Sequence, residues 1–182
     1  VAAGVDGESQ MCRGDRLAEV IDLEESAVET THVEEDGAAV LFDFSAAFPS
    51  IARDFLLASL AHIGVPPAAM AFIKALYHKT GAQMQMAGTR GGQFQITAGI
   101  RQGCPASGTL FALAMDPCIR FLIARIGPKH GIVNAYADDI AAVICDLFDT
   151  IKIIDDSFKT IGRATSLHLH PGKVMIIPLW KY

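Results

Sequence analysis

Cysteine is scarce and scattered. Cys12, Cys104, Cys118 and Cys145 are the only four in 182 residues, and no two of them stand at zinc-ligand spacing. That excludes a dense disulfide framework and a zinc module with adjacent ligands. No charged-then-apolar leader opens the chain, so the thiols are expected to be reduced and the protein intracellular. Charged residues are thin at 19%, yet hydrophobic residues reach 51%, which excludes a disordered chain. The 16 glycines and 8 prolines follow no period, so collagen-like and low-complexity classes are out as well. Long apolar runs are also missing. The longest stretch without formal charge, Phe55 to Ile73, is interrupted by Gly64 and Pro66-Pro67, and each half is amphipathic, so no membrane span is expected.

What is present suffices for one medium domain, or two small ones, with a real core. The net charge of −5 argues at first against a nucleic-acid partner. Its distribution changes that. Residues 1–36 hold 11 acidic and 2 basic side chains, net −9, whereas residues 37–182 hold 9 acidic and 13 basic, net +4. A mildly basic body permits phosphate contact without demonstrating it. The acidic stretch reads as a solvated helix face or a frayed tail.

Along the chain, Asp15 to Glu29 has helical composition, with Leu17, Val20 (or Ile21) and Glu24 at helical spacing. Ala38 to Phe42 reads as a short buried strand running into Asp43. Pro49 and Ser50 open a helix, Ser50 being the expected N-cap, with Ala52, Leu56, Leu60 and Ile63 on one face and Gly64 closing it. A second helix begins at Pro66-Pro67, carries Met70, Ile73, Leu76 and Tyr77, and ends by Gly81. Alternation in Gln83–Met86 and Gln93–Ile96, with a turn over Gly88 to Gly92, predicts a β-hairpin. Met84 and Met86, at alternate positions, read as strand packing rather than as a binding surface. After a Gly/Pro-rich loop from Gly99 to Gly108 comes a long helix with Phe111, Met115, Cys118, Leu122 and Ile126 on one side, bent at Pro117 and stopped by Gly127-Pro128. Ile132–Ala137 and Ile140–Cys145 read as strands around Asp138-Asp139. Asp146 to Leu167 reads as a helix and Val174–Ile177 as a last strand. The tally is α+β, with hairpins as well as crossovers.

Three carboxylates stand in unusual places. Asp43 ends an apolar strand, and Asp138-Asp139 sit between two more, where acidic residues are depleted. Taken alone, Asp138-Asp139 is an ordinary turn. If the Asp43 strand pairs with the Tyr136 strand, however, Asp43 and Asp138 fall close together, because paired strands lie ~4.8 Å apart. Clustered carboxylates repel, and a divalent cation removes the conflict. Oxygen-only donors favour Mg²⁺ or Mn²⁺ over zinc. His168 and His170 share one strand face, but no third ligand accompanies them, so they read as loop or surface.

Asp43-Phe44-Ser45-Ala46-Ala47-Phe48 resembles motif A of reverse transcriptases. Gly99-Ile100-Arg101-Gln102-Gly103-Cys104-Pro105-Ala106-Ser107, followed by Leu110-Phe111, resembles motif B, and Ala135-Tyr136-Ala137-Asp138-Asp139 resembles motif C. Gly172-Lys173 before an apolar strand looks like motif D. The wording of motif B is most similar to that of non-LTR retrotransposon enzymes, with group II intron relatives next. The likeness runs from about Gly37 to about Ile177, and motifs A, B and C in this order make it specific.

The resemblance implies a polymerase palm: an antiparallel sheet carrying the catalytic carboxylates, helices on one face, incomplete fingers and no thumb. It divides the chain into an acidic remnant of fingers over 1–36, the palm over 37–178 and a tail over 179–182. It implies that Asp43 and Asp138 hold two Mg²⁺ or Mn²⁺ ions, with Asp139 and the carbonyl of Phe44 completing the metal site. Phe48 would screen the 2′ position of the incoming nucleotide, or else be core only. Gln102 and Gly103 would lie near nucleotide and template. Arg101 would touch phosphate or template, or pair with a surface acid. Tyr136 would lie beside the primer end or in the core. Lys173 would give a proton to departing pyrophosphate, or be an exposed lysine after a turn. The implied partners are an RNA template, a DNA primer and a dNTP, with fingers, thumb and endonuclease regions in a longer parent chain. With no initiating Met and an end just past motif D, the chain is expected to be a piece of such a protein with little processive activity alone. The alternatives are an inactive retroelement remnant, a non-catalytic nucleic-acid-binding domain and a palm-type nucleotide cyclase; motif B speaks against the cyclase.

Overall fold

The computed structural model describes residues 36–180, together with Glu25 and Ala27. The helix expected over Asp15 to Glu29 and the acidic segment 1–36 therefore lie almost wholly outside the described residues.

Across residues 36–180, five α-helices and six strands follow in order. They are β1 (Ala38–Phe42), α1 (Ala47–Ser50), α2 (Arg53–His62), α3 (Pro67–Tyr77), β2 (Gly81–Met86), β3 (Thr89–Gln95), α4 (Ser107–Ile126), β4 (Gly131–Tyr136), β5 (Asp139–Ile144), α5 (Leu147–Thr165) and β6 (Met175–Pro178). A 3₁₀ turn, Pro171–Lys173, precedes β6. The main sheet is antiparallel with order β4-β5-β1-β6, and β2 and β3 form a separate hairpin. The α+β reading holds.

Residues paired across β1 and β5 share a face. Ala38 opposes Ile144, Val40 opposes Ala142 and Phe42 opposes Ile140, and all six are buried. This face is covered by helices. Phe158 of α5 meets Phe42 and Phe44 at ring separations of 4.8 and 6.1 Å. Phe111, Met115, Ile119 and Leu122 fill the same core from α4. Each such side chain contributes roughly 1.5–3 kcal/mol on leaving water. The opposite face is open: Leu41 and Met175, which pair across β1 and β6, are both exposed. By the two-residue alternation of a strand, Asp43 (after Phe42) and Asp139 (before Ile140) fall on that open face.

Four expectations are corrected. The Asp43 strand does not pair with the Tyr136 strand. β5 lies between β1 and β4, because a two-residue turn folds β5 straight back along β4 and leaves its other edge for β1. Ser50 does not cap the helix that follows. The chain first makes the single turn α1 and restarts at Arg53, with Ala52 at the N-cap position and no side-chain cap. The Ser50 hydroxyl instead donates back to the Ser45 carbonyl at 3.4 Å. Met84 and Met86 do not pack. They are 68% and 82% exposed on a hairpin whose strands are exposed almost throughout. The hairpin turn also narrows to Ala87-Gly88, with Thr89 already paired to Met86. Pro117 lies inside α4 without ending it. Among the described residues, no helix is long and apolar enough to cross a membrane.

Candidate active site

The acidic positions converge through backbone register. Tyr136 and Asp139 close the β4–β5 hairpin, leaving Ala137 and Asp138 as its two-residue turn. Ala137 takes a φ of 55°, a left-handed value that costs an L-residue energy and holds the turn tight. Ala46, within motif A, has a φ of 53°. Strain thus sits beside both acidic segments. Phe42 opposes Ile140, so the next residues along, Asp43 and Asp139, stand across from each other, and Asp138 is one residue further at the rim.

Downstream of β1 the chain is tied to the segment after α5. The Ser45 N–H donates to the His168 carbonyl and the His170 N–H donates to the Asp43 carbonyl, each at 2.8 Å. Phe44, bridged to Leu169 between these bonds, uses neither its own N–H nor its carbonyl in them. Its ring is buried against Phe158, while its carbonyl stays outside that ladder. His168 and His170 are exposed, as expected for surface residues.

Lys173 reaches the same place. Its Nζ lies 2.7 Å from Asp43 Oδ2, with side-chain exposures of 58% and 36% for the lysine and aspartate. Among the described residues, no three His, Cys, Asp or Glu side chains are gathered closely enough, as they stand, to hold a metal ion. The donor chemistry nonetheless suits a hard cation: three carboxylates and a backbone carbonyl, one carboxylate already paired with an ammonium.

Motif B is docked on motif A. The Gly99 N–H donates to the Ile51 carbonyl and the Ile100 N–H to the Phe48 carbonyl, both at 2.8 Å. Phe48 is half-buried, its ring stacked on Phe111 with centroids 4.3 Å apart and planes 18° apart. Core packing therefore accounts for one face of this ring, and the residue as a whole stays only partly buried. Beyond Ile100, Arg101, Gln102 and Gly103 are all exposed, and Gly103 has a φ of 79°. The Ser107 hydroxyl, at the start of α4, donates to the Arg101 carbonyl and closes the loop. Tyr136 is 45% exposed, which removes the core alternative for it. Cys104 and Cys118 are free thiols. Burial pushes Cys118 up to about 12, leaving it inert.

Arg53 was missed by the sequence reading. From the first turn of α2 its guanidinium donates to four carbonyls: Ile96 at 2.7 Å, Ala98 and Gly99 at 3.2 Å, and Tyr77 at 3.4 Å. It also lies 5.0 Å from the Tyr77 ring centre. Burial lowers its pKa from the ordinary arginine value and raises that of the Tyr77 phenol. Its role is to hold the strand end that delivers motif B. The nearest signal was an arginine following a Pro-Ser turn, which carries no chemistry by itself.

An antiparallel sheet with helices on one face and acidic residues converging at the end of the other defines a polymerase-type palm. The chain belongs to the reverse transcriptase (RNA-dependent DNA polymerase) family, matching it over residues 13–181. It is 27% identical over 143 residues to the transposon TX1 uncharacterized 149 kDa protein of Xenopus laevis, covering 75% of this chain and 11% of that protein. It is 33% identical over 102 residues to the retrovirus-related Pol polyprotein from type-2 retrotransposable element R2DM of Drosophila melanogaster, covering 54% and 10%. With the corresponding polyprotein from type-1 retrotransposable element R2 of Bradysia coprophila it shares 30% over 129 residues, covering 67% and 15%. The chain thus spans only about a tenth of the length of the first two relatives. Among solved structures, telomerase from Candida albicans, in complex with a fragment of telomeric RNA, superposes with a TM-score of 0.73 at 9% identity, covering 94% of this chain and 32% of that one. Apo telomerase from Candida tropicalis gives 0.67 at 12%, covering 88% and 32%. These last likenesses establish the fold. Reverse transcriptases generally use divalent metals.

Proposed function

We propose that this chain carries the nucleotidyl-transfer centre of an RNA-directed DNA polymerase of the non-LTR retrotransposon type. The reaction is attack of a DNA primer 3′-hydroxyl on the α-phosphate of a dNTP, directed by an RNA template, with pyrophosphate leaving. The observation that carries the reading is register: β1 and β5 set Asp43 and Asp139 opposite each other on the open face, with Asp138 at the turn beside them.

Asp43, Asp138 and Asp139, with the Phe44 carbonyl, would hold two divalent ions, Mg²⁺ or Mn²⁺. When bound, such ions lower the pKa of an attacking hydroxyl and neutralise charge on the transferred phosphate. The chain's own residues do the positioning, which supplies much of the catalysis in phosphoryl transfer. The exposed Gln102-Gly103 backbone can approach nucleotide and template closely, because Gly103 has no side chain to interpose. Arg101, exposed beside them, is available to phosphate. Phe48, partly buried and near Asp43 in sequence, would screen the space that a 2′-hydroxyl needs. Tyr136 lines the primer side. Lys173, next to Asp43, is the donor of a proton to departing pyrophosphate.

The test is Mg²⁺- or Mn²⁺-dependent dNTP addition to a primer annealed on RNA, with Asp138→Asn alongside. Addition of a few nucleotides by the parent and none by the variant, with unchanged circular dichroism and melting, is the expected result. Equal extension by a folded Asp138→Asn protein overturns the assignment.

A further inference from the structure

The contact between Lys173 and Asp43 is not a chance meeting of two surface side chains. Two backbone hydrogen bonds and the contact itself close a ring. The Asp43 carbonyl accepts from the His170 N–H at 2.8 Å, and the His170 carbonyl accepts from the Lys173 N–H at 2.9 Å. The Lys173 ammonium then returns to Asp43 Oδ2 at 2.7 Å. The backbone of Asp43 therefore anchors the 3₁₀ turn, Pro171–Lys173, whose last side chain neutralises the carboxylate of Asp43 itself. Proline at the start of that turn fixes φ and lowers the entropy lost in holding Lys173 in place. Meanwhile Asp43 is not gathered with Asp138 and Asp139 into a metal-ready group. The counter-charge in contact with the Asp43 carboxylate is the Lys173 ammonium.

We infer that Lys173 is a resident counter-cation for Asp43, occupying its carboxylate until a divalent ion displaces it. This rests on the metal reading above and adds a coupling to it. Loading the Asp43 position and freeing the Lys173 ammonium become one event. The proton-bearing group is then released toward the reacting phosphate only when Asp43 has exchanged its partner. Both side chains are substantially exposed, so the contact is weak enough to be exchanged.

Two readouts test this on the 182-residue chain, neither of them polymerase activity. The first is Mn²⁺ binding by calorimetry to the parent, Lys173→Met and Asp43→Asn proteins. Removing the competitor should tighten the Asp43-dependent site about two- to fivefold, the range an exposed ion pair supports. The second is the rate of amine labelling at Lys173, read by mass spectrometry against the exposed Lys79. Saturating Mg²⁺ should accelerate labelling of Lys173 in the parent. In Asp43→Asn, labelling should be fast with or without Mg²⁺. Equal Mn²⁺ affinity in the parent and Lys173→Met, or Lys173 labelling indifferent to Mg²⁺ that does bind, overturns the counter-cation role and leaves the metal reading standing. Absence of any Asp43-dependent Mn²⁺ site in both the parent and Lys173→Met overturns the metal reading and this inference with it.

Discussion

A Cβ placed on Gly99 would stand 2.5 Å from the carbonyl oxygen of Pro49 and 2.7 Å from its carbonyl carbon. Motifs A and B meet at that point, backbone against backbone, with no flexible side chain able to give way. Gly99 also has a φ of 80°, so two independent penalties fall on any larger residue. Gly99→Ala is expected to lower stability by more than about 1 kcal/mol, the scale for alanine where glycine's φ is positive. Gly103→Ala is the informative comparison. Its φ is 79°, but nothing lies within 4 Å of the added carbon, so only the conformational part is lost. Urea unfolding midpoints of the two variants should rank Gly99→Ala clearly below Gly103→Ala. Equal losses would mean that the contact with Pro49 relaxes freely.

Much of this arrangement is legible in the sequence, and the exceptions have physical reasons. β1 is legible with its observed ends because an apolar pentapeptide stands between Gly37 and Asp43, and neither neighbour suits a buried strand. The Asp138 turn was legible for a similar reason: two apolar strands flank two acids. The position of β5 between β1 and β4 was not, because strand order depends on contacts distant in sequence, which no local pattern encodes. Ser50 followed the rule for a helix start, but tertiary docking of Gly99 and Ile100 on Ile51 and Phe48 imposes a break there, and the helix restarts without a side-chain cap. The exposed faces of β2 and β3 misled for another reason. Alternation signals a strand, but says nothing about whether anything covers it.

Arg53 shows what a sequence reading cannot see, since its partners are main-chain carbonyls that any residues would supply. Four acceptors around one planar guanidinium demand its forked geometry, which an ammonium cannot reproduce. Arg53→Lys keeps the charge and loses the fork. It is expected to cost about 1–3 kcal/mol, the scale of losing charged hydrogen bonds and stranding partly buried carbonyls. The effect should be local as well as global. Amide hydrogen exchange across residues 96–103 should accelerate in Arg53→Lys while the β1–β5 ladder stays protected. Uniform acceleration would show that Arg53 supports the whole fold rather than the delivery of motif B.

Phe48 has both a packing role and a proposed selective one, and a single substitution separates them. The ring stacks on buried Phe111, so Phe48→Ala removes a core contact and is expected to cost about 2–3 kcal/mol, below the 3–5 kcal/mol typical of fully buried phenylalanine. Loss of stability alone lowers incorporation of dNTPs and rNTPs in proportion. Loss of a steric gate moves the ratio between them. An alanine leaves space for a 2′-hydroxyl, so ribonucleotide incorporation relative to deoxyribonucleotide should rise at least tenfold, equivalent to about 1.4 kcal/mol of lost discrimination. The ratio is measured in single-nucleotide addition at a temperature where the variant is fully folded. An unchanged ratio in a folded, active Phe48→Ala protein would confine this residue to the core contact with Phe111.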